Sequence, residues 1–185
     1  MAKKNVKKKS NMPVLLRNSF ILTREMHRIY SKATFRIFHK KWSRNVLLIA
    51  FLLLTAGILV TFGFRFLIPG IILLAAGVYC IGMSRFGYLF GSWREYRNFQ
   101  EYFGPLVEME VEFLPKHFRI KTEKGTREFL YSQIVKRIEL ANMSILIVGA
   151  DGIIIHGQVI DKKAFEPIEL SKYYDIMEEA GVLDI

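Results

Sequence analysis

Three hydrophobic rhythms follow one another along the chain. From residue 46 to residue 83 nearly every position is apolar, and Arg65 is the single charge. After residue 106 apolar and polar residues alternate. Val107, Met109, Val111 and Phe113 fall on one side, and Glu108, Glu110 and Glu112 on the other, the period-two pattern of a half-buried strand. Between residues 20 and 45, and again after Pro167, the spacing is helical. Met26, Ile29, Tyr30, Ala33 and Ile37 make one apolar face of the first such stretch.

The continuous apolar run divides in two. Its 38 residues would make a single helix of roughly 57 Å, about twice the ~30 Å of a bilayer's hydrocarbon core. Split at Gly63–Arg65 it becomes VLLIAFLLLTAGILVTF and FLIPGIILLAAGVYCIGM, 17 and 18 residues long. Both are close to the ~20 residues that cross a membrane as a helix. Apolar residues on every face argue against a helix pair buried in a soluble protein. The expectation is a transmembrane hairpin with helices at about 46–63 and 66–83. Gly63 takes up the turn, Arg65 reaches lipid phosphates, and Pro69 sits in the first turn of the second helix, where its missing N–H costs nothing.

Charge orients the hairpin. Residues 1–45 carry 13 Lys/Arg against Glu25 alone, and Arg85, Arg94 and Arg97 follow the second span. The positive-inside rule puts both termini in the cytoplasm, as in a multi-pass protein of the cell membrane. The start MAKKNVKKKSNMP resembles a signal-peptide n-region, but the apolar stretch comes about 45 residues later and exceeds the usual h-region. It reads as retained membrane segments. Residues 1–19 are read as a basic tail, and 20–45 as a basic amphipathic juxtamembrane helix capped by Thr23. On it Arg24, Arg28, Lys32, Arg36, Lys40 and Arg44 recur four apart. Like charges at that spacing repel, so the pattern calls for an anion. The candidate contact is the anionic inner leaflet, with Trp42 at headgroup level. The alternative is a solvated helix packed on the domain that follows. The KKNVKKK tail also admits a nucleic-acid reading, which ranks below the membrane one.

Residues 84–104 read as a bridging helix that continues the second span and stops at Gly104-Pro105. Residues 105–185 then read as six or seven short antiparallel strands, with turns at Lys124-Gly125, near Asn142 and at Asp151-Gly152. One helix, ELSKYYDIMEEAG, ends at Gly181. The fold class is membrane α+β: a two-helix hairpin followed by a small antiparallel sheet or partial barrel closed by a C-terminal helix.

This order of parts resembles the YcxB-like family of bacterial membrane proteins. The residues that carry the resemblance are Phe129, Tyr131, Ile134 and Ile138-Glu139 in FLYSQIVKRIE, and 159–165, VIDKKAF. The resemblance implies a C-terminal domain similar to pleckstrin-homology folds and a membrane location. It implies no activity.

Nothing in the sequence spells out an active site. His27, His39, His117 and His156 stand apart and form no metal-ligand motif, and Cys80 is the lone cysteine. There is no nucleophile elbow and no phosphate loop. Glu108, Glu110 and Glu112 read as a solvated strand face. The expectation is therefore a protein that is not an enzyme and takes no cofactor or metal. It is instead a membrane-anchored binding or scaffold module with a protein or peptide partner, for example at a strand edge. The alternative is anionic-lipid recognition by the basic helix together with Lys116, Arg119, Lys121, Lys124 and Arg127 around one hairpin. Thr55, Ala56 and Gly57, with Ala75, Ala76 and Gly77, offer close helix approach, either within one chain or in a homo-oligomer.

Overall fold

The computed structural model describes residues 13–150 and 153–182. The chain forms two compact units, a helical one, Thr23–Pro105, and a second built from Met1–Leu22 and Leu106–Ile185.

Helix α1 spans Arg24–Phe38. Thr23 caps it, its Oγ1 accepting from the Met26 N–H at 3.2 Å. The helix ends at His39, and α2, Lys40–Ile58, begins at once. The single basic helix read over 20–45 is therefore two helices, with Lys40 and Arg44 on the second. The third helix, α3, Leu67–Phe103, explains the break. The α1 row His27, Ser31, Phe35 steps by four residues and drifts by about 40° per step. A straight continuation would carry that row off its contacts, Ser92 with His27 and Tyr88 with Phe35. The break at His39 starts a new row at Ser43.

That new row has a period of seven. Ser43, Ala50 and Gly57 on α2 meet Gly70, Gly77 and Ser84 on α3. The hydroxyls of Ser43 and Ser84 lie 2.6 Å apart, and each lies 3.2 Å from the other's carbonyl oxygen. A Cβ on Gly77 would stand 2.7 Å from the Leu54 side chain, and one on Gly57 would stand 2.8 Å from that of Leu74. Each leucine fills the space left by the glycine opposite it. A seven-residue step is 3.5 residues per turn, the spacing of two helices wrapped left-handedly. Gly57 and Gly77 thus serve contact within the chain.

The reversal differs from the sequence reading. α2 runs on as a π-helical turn over Leu59–Gly63, with Phe64 N–H bonded to the Leu59 carbonyl and Phe66 N–H to that of Val60. Gly63 is held inside that turn. The left-handed residue is Arg65, at φ 59°. Pro69 occupies the first turn of α3, and residues 84–103 continue α3 without interruption. The helix stops at Gly104, φ 98°. Both Lys40–Gly63 and Leu67–Phe103 are long and apolar enough to cross a membrane, and only 11% and 17% of their most apolar windows is buried. They are not core helices of this fold.

The second unit has seven strands. β1 (Leu16–Ile21), β2 (Glu108–Phe113), β3 (His117–Thr122) and β4 (Gly125–Leu130) form one antiparallel sheet in that order. β5 (Ile134–Glu139), β6 (Met143–Ala150) and β7 (Ile153–Asp161) form the other. Ala150 pairs with Ile153, so the turn read at Asp151-Gly152 falls on residues outside those described. A C-terminal helix, α4, spans Pro167–Glu179, and left-handed Gly181 follows it.

β1 corrects the sequence reading, which gives residues 16–19 to a basic tail over 1–19 and residues 20–21 to the juxtamembrane helix. The KKNVKKK part of that tail lies outside the described residues. LRNSFI pairs along its whole length with β2, from Leu16 opposite Phe113 to Ile21 opposite Glu108. The helical unit is therefore an insertion between two neighbouring strands. Asn18 is fully buried. Its amide donates to the Asp161 carbonyl at 2.9 Å and accepts from the Asp161 N–H at 3.1 Å, which ties the first sheet to the end of the second. Leu16, Val111, Phe113, Phe118, Leu146, Val148 and Ile160 pack with Phe165, Tyr173, Ile176 and Met177. Tyr173 lies at the centre, 5.5 Å edge-on to Phe113 and 2.7 Å from the Ser144 hydroxyl.

Candidate functional site

The chain's charged side chains form two surfaces of opposite character. On the helical unit Arg24, Arg28, Lys32, Arg36, Lys40 and Arg44 are all exposed, and none has an acidic partner among the described residues. Structure brings the first four together on α1 and sets the last two on α2. The other side of α1 is closed. His27 is buried among Tyr30, Tyr96 and Phe99, with ring centroids 5.8–5.9 Å away. Its Nδ1 lies 3.2 Å from the Ser92 hydroxyl. Burial lowers the pKa of the ring, which favours the neutral imidazole. This histidine holds two helices together and faces no open site.

On one face of the four-stranded sheet the charges of Arg17, Glu110, Glu112, Arg119, Lys121 and Glu128 are paired internally. The strand register places Arg17, Glu112, Arg119 and Glu128 side by side across β1 to β4. Arg17 reaches Glu112 at 3.1 Å and Glu110 at 2.9 Å, and Arg119 reaches Glu112 at 3.4 Å and Glu128 at 2.8 Å. Lys121 bonds Glu112 as well. Glu112 is only 1% exposed. The solvated face read from Glu108, Glu110 and Glu112 thus holds a carboxylate covered by three cations. Burial alone would raise its pKa, but the hydrogen bond and charge of Lys121, with Arg17 beside it, bring it below the usual range.

The basic cluster read around the β3–β4 hairpin does not assemble. Arg119 and Lys121 belong to the ion-pair face. Arg127 lies opposite Ile120 and so points to the other side of the sheet. Beside the ladder lies an open depression of about 410 Å³, lined by Ser19, Ile21, Glu108, Glu110, Lys121 and Glu123 among others. Its carboxylates repel phosphate.

Residues of the segments FLYSQIVKRIE and VIDKKAF hold the domain together. Tyr131 donates to the Leu114 carbonyl at 2.8 Å. Glu139 forms an ion pair with Lys162, which also donates to the Leu140 carbonyl at 2.8 Å. Arg137 lies over the rings of Tyr173 and Tyr174 at 6.0 and 5.5 Å. Phe129 stacks on His156 at 5.6 Å.

Among the described residues no three His, Cys, Asp or Glu side chains are placed to hold a metal ion. The sequence reading missed Asn18 and the buried state of Glu112. In the strand Leu16 and Asn18 are buried and Arg17 and Ser19 exposed, but the inward Asn18 is polar. Apolar and polar residues therefore do not alternate along LRNSFI, and its partner strand lies some 90 residues away. No protein-family model, curated protein or solved structure matches the chain.

Proposed function

We propose that the chain is a bacterial inner-membrane protein of the YcxB-like kind, a membrane-anchored binding or scaffold module. The α2–α3 hairpin crosses the bilayer, both termini are cytoplasmic, and the two-sheet unit is a pleckstrin-homology-like domain that binds a protein or peptide. The observation that carries this reading is the exposure of the apolar hairpin, Phe51, Leu52, Ile68, Ile72 and Tyr79 among others. Soluble monomers rarely show a contiguous apolar patch above a few hundred Å², so the solvent suited to this surface is lipid. Four and three antiparallel strands closed by one helix support the domain assignment. Internal pairing of Arg17, Arg119, Lys121, Arg137 and Lys162 favours a protein partner over a phosphate.

Membrane fractionation with alkaline extraction tests the anchor, and a chain released into the soluble fraction overturns it. A reporter fused after Ile185 tests the topology. Activity only on the outer side of the membrane would reverse the orientation.

A second reading rests on the six cations that have no acidic partner among the described residues. α1 and the start of α2 contact anionic headgroups, each cation adding about 1 kcal/mol near such a surface. This contact complements the scaffold role and does not require the domain to read lipid. A domain that joins residues 13–22 to 106–185, and so keeps β1, separates the two. Flotation of that protein with anionic vesicles would return lipid recognition to the domain.

A further inference from the structure

We infer that the hairpin tip is a lipid-phosphate anchor in the far leaflet. In it Arg65 holds a phospholipid phosphate, and Phe62, Phe64 and Phe66 stay in lipid around it. The inference rests on the reading that the hairpin lies in a bilayer, and it adds where the tip stops and what it binds.

Three observations converge. The first is composition at the tip. Phe62, Phe64, Phe66, Leu67 and Ile68 are 62–77% exposed, so a tip projecting into water would display five large apolar side chains. The second is the reach of the two legs. Arg44 and Arg85 adjoin the Ser43–Ser84 contact, 21 and 20 residues from Arg65. At 1.5 Å per residue both legs measure roughly 30 Å, the thickness of the hydrocarbon core. Both ends of the hairpin therefore stand at the edges of the hydrocarbon. From there the extended side chains of Arg44 and Arg85 at the near end, and of Arg65 at the far end, reach the two phosphate layers.

The third is the backbone of Arg65. It is left-handed at φ 59°, a conformation that glycine adopts without strain and arginine does not. Gly63, two residues earlier, is spent inside the π-helical turn. The apex residue thus keeps a long cationic side chain at a position that favours its absence. Arg65 is exposed and has no ion pair among the described residues. Its planar guanidinium suits the oxygens of a phosphate, and its stem can extend past the phenylalanines to reach one.

The test uses the full chain with Cys80→Ser, so that one introduced thiol is labelled. Phe64→Cys and, as a water-facing reference, Lys172→Cys on α4 each carry a nitroxide. Both proteins are reconstituted in vesicles of phosphatidylethanolamine and phosphatidylglycerol. Collision with oxygen reports lipid, and collision with a water-soluble nickel chelate reports water. At residue 64 the expected result is loss of most nickel collision relative to residue 172. Arg65→Gly, which relieves the backbone and removes the charge, shifts the label at residue 64 towards the bilayer centre, and Arg65→Lys keeps it in place. Equal nickel access at residues 64 and 172 overturns the lipid placement of the tip. An unchanged depth with Arg65→Gly overturns the phosphate contact. A chain that fails to float with vesicles defeats the membrane reading itself, which is a different outcome from floating with a wet tip.

Discussion

Helix α1 and the ion-paired faces of the β unit use their cations in opposite ways. Residues 23–105 hold eleven Lys/Arg against three Asp/Glu, whereas residues 13–22 and 106–185 hold eleven against fourteen. In the β unit Arg17, Arg119, Lys121, Arg137 and Lys162 all pair with glutamates of the same unit. On α1 no cation does. A charge satisfied within its own unit stabilises that unit and has little left for a ligand. A charge without an internal partner costs little in water and gains from any external anion. Charge counts along the sequence locate the excess, but only the register separates charges already engaged from those available.

The largest expected effect breaks the β unit apart. Residues 106–185 without β1 lose Leu16 from the core and the Asn18 bonds to Asp161. A small domain has only about 5–15 kcal/mol of stability in total, so that fragment is expected to show no cooperative unfolding transition. The same residues joined to 13–22 by a short linker in place of the helical unit are expected to melt cooperatively without detergent. Near-ultraviolet circular dichroism distinguishes the two. A folded 106–185 fragment would show that β1 is dispensable.

That experiment also marks where the sequence was legible. The hairpin was visible because a long apolar run is a local signal, and its length alone forces two helices. The strands of residues 107–161 and the last helix were visible through short-range periodicity and turn residues. β1 was hidden because its pairing partner lies beyond an 83-residue insertion, Thr23–Pro105, and because its inward-facing Asn18 is polar, so no alternation marks these six residues beside a polybasic segment as a strand. The state of Glu112 was hidden for a related reason. Alternation places it on the outer face, but its cover comes from Arg17 on β1 and from Arg119 and Lys121 on β3. The break at His39 was missed because no glycine or proline causes it. It arises from a change of contact row against α3.

Glu112 gives the next effect. Glu112→Gln leaves Arg17, Arg119 and Lys121 crowded without their shared carboxylate, and the fused β unit is expected to lose about 3 kcal/mol at neutral pH. The pH dependence has a defined sign. A carboxylate whose folded pKa is depressed stabilises above the ordinary glutamate range, and that contribution is lost as pH falls through the folded value. Urea titrations of the parent and the variant should therefore converge in acid. A gap that stays constant from neutral to acidic pH would mean the ladder is not what holds Glu112 in place.

Packing of the hairpin should give a smaller loss. Gly77→Leu drives a side chain into Leu54 and towards the Ala50 carbonyl, 3.2 Å from the added Cβ. Overpacking of this kind costs about 2 kcal/mol, read as earlier unfolding of the reconstituted chain. Gly82, whose added Cβ meets nothing within 4 Å, accepts leucine without loss if the contacts stay within one chain. Loss at Gly82 as well would indicate a second copy packed against that face.

The smallest effect on stability separates the two uses of charge most directly. Arg28→Gln or Lys32→Gln removes an exposed cation with no internal partner, so the melting of the reconstituted chain should change by less than about 0.5 kcal/mol. Attraction of a peptide covering residues 20–45 to anionic vesicles should weaken by about 1 kcal/mol per residue changed, and added salt should erase the difference. Arg119→Gln on the ladder should show the reverse, lower stability of the fused β unit with no change in its vesicle binding. If neutralising α1 destabilises the protein as much as neutralising the ladder does, the cations on α1 are engaged within the fold, and the contrast between the two units does not hold.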